Sequence, residues 1–396
     1  MTALKHASQC GDFEQAAIPL DKTLTANKHR IQCDSPCTNY YLTRGVFTMN
    51  PTAFNELCLE ELKLCGVNES ETIAILTRGD ERTAYADSFM WAAQRLGAQT
   101  YHLRLPAPSD PAGAWQVGDV GLGSNPLAVD ALKKADMVVD CALMLFSPEQ
   151  FEIQGAGTRV LSAIEPVPVL ARLFPTHELR DRVELSQKYL AEAKSLRITN
   201  DLGTDVTYRL GKYPAMAEYG YTDTPGRWDH WGCGFAFTGA YDDGVDGTIV
   251  LSPGDIIHPF DTYVQSPVKF TIEKGFIVDI RGVDGHSGLD SDFVKAHIDG
   301  FADPRGFGMS HVGWGLDERA RWHGMVQDPN VIGVETRSYY GNVMISTGPN
   351  NELGGPNDTP CHMDIPMRNC SLYLDDELIV DRGDLAVPEL RPASRR

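Results

Sequence analysis

The chain has 396 residues, 42% of them apolar, which is enough to bury the cores of two domains of ordinary size. Its formal net charge of −19 argues against nucleic acid or an anionic membrane as a partner, because both would repel it. No run of about 18 apolar residues is present to cross a bilayer, and the first residues (MTALKHASQCGDFEQ) lack the apolar segment of a signal peptide. We therefore expect a cytoplasmic protein.

The first half of the chain alternates between helical and strand patterns. Residues 1–50 form a polar tail without a clear period, and we predict an α/β domain over residues 51–195. Its helices are predicted at 51–65, 85–96 and 127–135, and its strands at 72–76, 99–105 and 137–141. Such alternation predicts a parallel sheet.

The turn after the first predicted strand bears on cofactor binding. It carries Arg78-Gly79-Asp80, which is not a glycine-rich phosphate-binding pattern. We therefore predict neither NAD nor flavin. Active-site residues of open α/β sheets gather beyond the carboxyl ends of strands, so residues 142–146 are predicted to line a site.

The second half of the chain is dominated by short strand patterns. A helix that starts within residues 175–178 and runs to about 195 is predicted to connect the first domain to a β-rich domain over residues 196–396. Residues 269–273 and 276–280 are predicted to form a hairpin, and 288–301 a helix. The predicted fold class is thus an α/β domain with a parallel sheet, followed by a β-rich domain. Nine cysteines, an odd number, are expected to be free thiols.

Two segments offer metal ligands. In a strand, His362 and Asp364 lie on one side while Met363 turns away. If His311 completes the set, two histidines and one carboxylate hold a divalent ion on one face and leave the other face open, as in iron(II) oxygenases. The alternative is that His-x-Asp occurs by chance and that the histidines are core residues bonded to the backbone.

A longer series of segments indicates a family. Residues 212–221 and 225–231, SHVGWGL, YYGNVMISTGPN and TPCHMDIPMRNCSLYLDD resemble, in order and spacing, the 2,5-dihydroxypyridine 5,6-dioxygenases. The resemblance runs from about residue 57 to about 388 and extends to the wider group built like the M29 leucyl aminopeptidases. It implies an iron(II) extradiol-type dioxygenase that opens a dihydroxypyridine ring with O2 to give N-formylmaleamate in nicotinate and pyridine catabolism. It also implies a small aromatic substrate and a homo-oligomer.

The resemblance implies roles for individual residues. The iron ligands fall on His311, His362 and Asp364, and two polar residues beside the substrate fall on Glu218 and His230. These two have side chains suited to the base and the acid of the reaction, and the sequence does not say which is which. The structural alternatives are a turn for His230 and a buried partner of an arginine for Glu218.

Three further positions bear on substrate binding. Leu145 and Ser346 match residues of the family's pocket. Phe146 stands where the pyridine dioxygenases carry a histidine, which changes a polar contact into an apolar one. We therefore expect 2,5-dihydroxypyridine or a closely related hydroxylated pyridine as the substrate, with Phe146 affecting that choice.

Two alternatives remain open at the level of sequence. One is an M29-like metallo-aminopeptidase with a two-metal site, which needs bridging carboxylates. Against it, His311 stands where those peptidases carry a glutamate, although Glu218 occupies the place of one peptidase ligand. The other is a catalytically idle scaffold, which an open ligand triad disfavours because structural metal sites are normally closed.

Overall fold

The computed structural model of the chain describes residues 50–107, 121–283, 288–328, 331 and 333–396. The predicted polar tail lies outside these residues except for Asn50, whose side chain accepts a hydrogen bond from the Thr52 backbone and caps the first helix. In this part of the chain, no helix combines the length and the hydropathy needed to cross a membrane.

The helices of the described residues surround the first sheet or pack beside the later ones. They are α1 (Pro51–Leu64), α2 (Thr83–Arg95), α3 (Pro126–Leu132), α4 (Pro148–Gly155), α5 (Val167–Arg172), α6 (His177–Glu192), α7 (Leu289–Gly300), α8 (Gly324–Gln327) and α9 (Glu335–Ser338). Local chemistry explains several starts: Ser147 and Thr176 cap α4 and α6 with their hydroxyls. Proline occupies the first turn of α1, α3 and α4, where its missing N–H costs nothing.

The strands of the described residues are short. They are β1 (Thr72–Arg78), β2 (Gln99–Leu105), β3 (Met137–Asp140), β4 (Arg159–Ser162), β5 (Ser195–Thr199), β6 (Asp205–Arg209), β7 (Met216–Glu218), β8 (Trp228–His230), β9 (Phe235–Gly239), β10 (Val245–Leu251), β11 (Ile256–Ile257), β12 (Thr262–Tyr263), β13 (Val268–Glu273), β14 (Phe276–Gly282), β15 (Met309–Gly315), β16 (Val343–Thr347), β17 (Met363–Met367), β18 (Ser371–Leu374), β19 (Glu377–Asp381) and β20 (Asp384–Leu385).

A parallel sheet of five strands, in the order β2-β1-β3-β4-β8, forms the first layer. The inner strands β1, β3 and β4 are covered on both faces, as is typical of a parallel sheet. Along β1, Ile73 and Ile75 pack into one core cluster, while Ala74 and Leu76 pack into another. Because the strands are parallel, the carboxyl ends of β3, β4 and β8 meet at one edge.

Besides the two-stranded ladder of β11 and β12, two antiparallel sheets lie in the later part of the described residues. The larger has the strand order β14-β13-β10-β6-β5-β18-β19-β20, and the smaller has the order β17-β16-β15-β9-β7. In the smaller sheet, β9, β15, β16 and β17 are buried throughout. It therefore provides a rigid support for residues at its strand ends.

The predicted fold class is confirmed, and so is the hairpin, which β13 and β14 form. Helix α4 and strand β4 were not predicted, because these short segments lack a clear period. Strand β8 joins the parallel sheet from beyond residue 195, and a domain division at residue 195 stays a prediction. The six described cysteines are free, as expected, and all six are buried.

Candidate metal centre and its pocket

His311, His362 and Asp364 come together at one end of the smaller antiparallel sheet. His311 lies in β15, Asp364 is the second residue of β17, and His362 directly precedes β17. One ligand atom from each residue lies within 4.8 Å of the others. The predicted alternation is confirmed, because His362 and Asp364 present their side chains on the same side.

A bulge in β15 aims His311 at the other two residues. Met309 pairs with Thr347, and Val312 pairs with Ile345. Between these two pairs β15 contains one more residue than β16, which is the definition of a β-bulge. The Ser346 hydroxyl bridges the irregularity, accepting a hydrogen bond from the His311 backbone N–H at 2.9 Å and donating to the His311 carbonyl at 3.2 Å. Ser346 thus holds the backbone of a candidate ligand.

The three side chains approach closely enough to share one cation. Asp364 Oδ1 lies 3.0 Å from His311 Nε2 and 3.2 Å from His362 Nε2. The Nδ1 of His362 lies 3.1 Å from the Thr347 carbonyl, which only accepts, so we assign the proton of a neutral His362 to Nδ1. Its Nε2 then directs a lone pair at the carboxylate, an arrangement that a proton or a metal ion must relieve.

His311 has a similar second partner. Its Nδ1 lies 3.3 Å from Glu352 Oε1, at a 3-10 helix spanning Asn351–Leu353. A carboxylate on the far nitrogen fixes the ring and directs the other nitrogen at a metal. No local sequence pattern points to Glu352, because only the fold brings this loop beside β15.

Without a metal, a proton takes the place of the cation. Burial lowers the pKa of His311, but the carboxylates of Asp364 and Glu352 outweigh burial and raise that pKa to about 9. Burial raises the pKa of Asp364, but the two histidines outweigh it and hold the pKa well below its usual range. The donor set therefore fits a divalent metal ion, with Asp364 ionised and the histidines oriented.

A pocket opens onto His362 and Asp364. It contains about 710 Å³ of empty space, part of it open to solvent. The lining residues from the parallel sheet and its following loops are Leu143, Leu145, Ser162, Ile164, Trp228 and His230. The other lining residues are His258, Pro259, Asp261, Val334, Arg337, His362 and Asp364. The pocket thus lies where the predicted wall at residues 142–146 meets the metal centre.

His230 lines this pocket as the last residue of β8. Its side chain is buried, and its Nε2 has no hydrogen-bond partner among the described residues. Burial, with the nearby charge of Arg337, lowers the pKa of His230 to about 3. The imidazole is therefore uncharged at neutral pH.

Glu218, by contrast, is already bonded to protein groups. Its carboxylate accepts hydrogen bonds from Arg337 Nη2 at 3.0 and 3.2 Å and from the Cys233 thiol at 2.9 Å. The arginine partner that the sequence analysis considered, Arg227, instead pairs with Asp229. Glu218 is not among the residues that line the pocket.

Arg337 connects Glu218 to the metal centre. Its Nε lies 3.6 Å from Asp364 Oδ2, and the side chain lines the pocket. Burial lowers the pKa of Arg337, but Glu218 and Asp364 more than compensate and raise it above its usual value. No sequence pattern singles out this residue, because α9 is a single short turn.

The remaining predicted site residues differ in position. Leu145 lines the pocket, whereas Ser346 and Phe146 are not among its lining residues. The Phe146 ring contacts the His362 ring instead. The pocket is also lined by His258, whose Nδ1 lies 2.7 Å from Asp261 Oδ1.

A family model described as 2,5-dihydroxypyridine 5,6-dioxygenase matches residues 53–387 of the chain. The chain belongs to this family. A 2,5-dihydroxypyridine 5,6-dioxygenase from Pseudomonas putida KT2440 is 45% identical over 337 residues, which cover 83% of this chain and 94% of the relative. The predicted resemblance is confirmed.

Solved structures agree with this assignment. The 2,5-dihydroxypyridine dioxygenase from Pseudomonas putida KT2440 superposes with a TM-score of 0.82 at 41% identity, covering 87% of this chain and 100% of that one. AmpT from Thermus thermophilus superposes with a TM-score of 0.58 at 13% identity, covering 84% of this chain and 99% of that one. The second likeness concerns the fold alone, and it confirms the predicted architecture.

Proposed function

We propose that this protein is an iron(II)-dependent, extradiol-type dioxygenase. Its substrate is 2,5-dihydroxypyridine or a closely related hydroxylated pyridine, and its product is of the N-formylmaleamate type, in nicotinate or pyridine catabolism. The observation that carries the proposal is the convergence of His311, His362 and Asp364 beside a pocket, in a chain of the 2,5-dihydroxypyridine 5,6-dioxygenase family. We further propose that it works in the cytoplasm as a homo-oligomer.

The donor set supports iron(II) as the metal. His311 and His362 would supply Nε2 and Asp364 would supply Oδ1, which is the combination that non-haem iron oxygenases use. When bound, the iron supplies the redox chemistry that lets a ring react with O2. The Glu352 carboxylate and the Thr347 carbonyl support the proposal, because they orient the two imidazoles.

Other residues of the pocket manage protons and charge. Neutral His230 is our candidate for the base that takes the proton of a substrate hydroxyl, because its Nε2 has no protein partner in the described residues. Arg337 remains charged, lines the pocket and would stabilise the resulting oxyanion. Glu218 takes part by holding Arg337 through hydrogen bonds. The apolar Leu145 lines the pocket and would contact the pyridine ring of the substrate.

The two-metal aminopeptidase is not favoured. Glu218 is the residue at a peptidase ligand position, and its carboxylate is bonded to Arg337 and Cys233. The likeness to AmpT is at 13% identity, whereas the dioxygenase relative is 45% identical. If this chain bound two zinc, cobalt or manganese ions and hydrolysed peptides, the aminopeptidase would be favoured instead.

Reconstitution with iron(II) under anaerobic conditions tests the proposal directly. We expect one iron per chain, followed by stoichiometric O2 uptake and loss of ring absorbance when 2,5-dihydroxypyridine is added. Because the pKa of metal-free His311 is raised to about 9, iron displaces a proton below that pH, and the apparent affinity for iron should rise from pH 6 to 8. Iron binding without O2 uptake on any hydroxylated pyridine would contradict the activity.

Replacing His230 with glutamine tests the proposed base. Glutamine is of similar size and forms hydrogen bonds but does not take up a proton, so we expect kcat to fall about 100-fold or more while one iron stays bound. Steady-state kinetics and iron analysis of the same preparation provide the two measurements. If His230→Gln kept the wild-type kcat, His230 would not be the base, and another group would take the proton.

A further inference from the structure

We infer that Phe146 is a positioning residue for the candidate metal ligand His362. This inference rests on the metal site of the proposed function and concerns the retention of the metal. The two rings meet nearly at right angles, with an interplanar angle of 80° and 5.4 Å between their centroids. Edge-to-face contact is a favoured geometry for aromatic pairs.

The contact complements the other restraint on His362. The Thr347 carbonyl, 3.1 Å from Nδ1, restrains one edge of the imidazole. A single hydrogen bond leaves the ring free to tilt about that bond, and the Phe146 ring limits the tilt. Both restraints act on a ring that must keep its Nε2 aimed beside Asp364 Oδ1. Loss of either should make the metal easier to release.

The loop after β3 places Phe146 against the His362 ring in a strained backbone conformation. Leu143 and Phe146 have φ values of 68° and 62°, in the left-handed region that residues with a Cβ rarely adopt. Strained residues of this kind persist only where the surrounding structure enforces them. Here the strained segment presents Leu143 and Leu145 to the pocket and Phe146 to His362.

Two buried side chains enforce the loop conformation. The Asp140 carboxylate accepts hydrogen bonds from three successive backbone N–H groups, those of residues 142, 143 and 144, at 2.9, 2.9 and 2.8 Å. The Gln150 side chain accepts a further bond from the Phe146 N–H at 3.1 Å. The parallel sheet is thereby connected through Asp140 and Phe146 to a ligand on the antiparallel sheet.

The test measures how fast iron leaves the protein. Full-length wild type and Phe146→Leu are loaded with iron(II) anaerobically and mixed with an excess of a colorimetric iron(II) chelator. Residues that orient metal-bound histidines typically affect metal affinity 10- to 100-fold. We expect release from Phe146→Leu to be about tenfold faster, at the low end of that range, and release from Phe146→Tyr, which keeps the ring, to match wild type.

Matched variants separate this role from general packing. Phe151→Leu makes the same change five residues later in α4, at a half-buried position, and should release iron at the wild-type rate. Asp140→Asn keeps the size of the side chain but replaces one acceptor oxygen by a donor, and should accelerate release as Phe146→Leu does. If Asp140→Asn does not fold, the comparison of the Phe146 and Phe151 variants still decides.

The outcomes distinguish this inference from the proposed function. Wild-type release from Phe146→Leu, or equal acceleration in Phe151→Leu, overturns the role of Phe146 and leaves the metal site intact. Failure of the wild type to bind iron overturns both. Faster release in Phe146→Leu together with restored retention in Phe146→Tyr supports the inference, because a purely structural role would not make iron release depend on the aromatic ring.

Discussion

Replacing His362 with alanine is expected to abolish iron binding and O2 uptake while leaving the fold largely intact. The change removes one of three converging ligand atoms and leaves His311 and Asp364, which cannot fill one face of an octahedral ion. The strand itself does not depend on the imidazole, because β17 pairs with β16 through its backbone. Iron per chain, O2 consumption and circular dichroism are the three measurements.

A matched control is available in His297, a histidine of α7 that packs against Phe260 and Phe301. His297→Ala should keep one iron per chain and wild-type O2 uptake. Turnover retained in His362→Ala would remove this residue from the ligand set. Loss of iron in both variants would show that the effect is not specific to the proposed centre.

Replacing Arg337 with methionine is expected to cost about 3–5 kcal/mol of unfolding free energy, the range for breaking a buried ion pair by removing one partner. The guanidinium and the Glu218 carboxylate are both almost fully buried, with side chains 5% and 4% exposed. Without Arg337, the Cys233 thiol is the one remaining side-chain partner of Glu218 among the described residues, and one charged neighbour of Asp364 is lost. Chemical denaturation of the metal-free protein measures the effect.

The double variant tests whether Glu218 and Arg337 stabilise the fold as a pair. If Glu218 acts chiefly by pairing with Arg337, adding Glu218→Gln to Arg337→Met should recover much of the lost stability, because no unpaired buried charge remains. Arg382→Met, in the exposed pair of Arg382 and Asp201, should change stability little. A loss in Arg337→Met no larger than in this control would contradict a buried ion pair.

The metal ligands show how far sequence reasoning reaches. The spacing of His362 and Asp364 predicts a shared side, since alternation along a strand depends only on neighbouring residues. His311 was placed with them by family resemblance, and its actual approach depends on an unpredicted bulge and on the Ser346 hydroxyl. The direct substrate contact predicted for Ser346 stays a prediction.

The roles of Glu218 and His230, by contrast, could not be distinguished from the sequence. Glu218 and His230 were equivalent candidates in the sequence, and the structure gives them different surroundings. The difference arises from long-range packing: β8 joins the parallel sheet and brings His230 into the pocket, whereas α9 brings Arg337 to Glu218. Neither contact has a local signal, because the partners are more than 60 residues apart in sequence.

The sequence by itself determined the alternation of helices and strands from α1 to β3, the hairpin of β13 and β14, and the His-x-Asp pair. These features depend on periodicity, capping and turn chemistry, which act between residues close in the chain. Only the tertiary structure decided that Arg337 joins Glu218 to Asp364, that Glu352 supports His311, and that Phe146 contacts His362. Those contacts depend on which faces of distant elements pack together, and packing is a property of the whole chain.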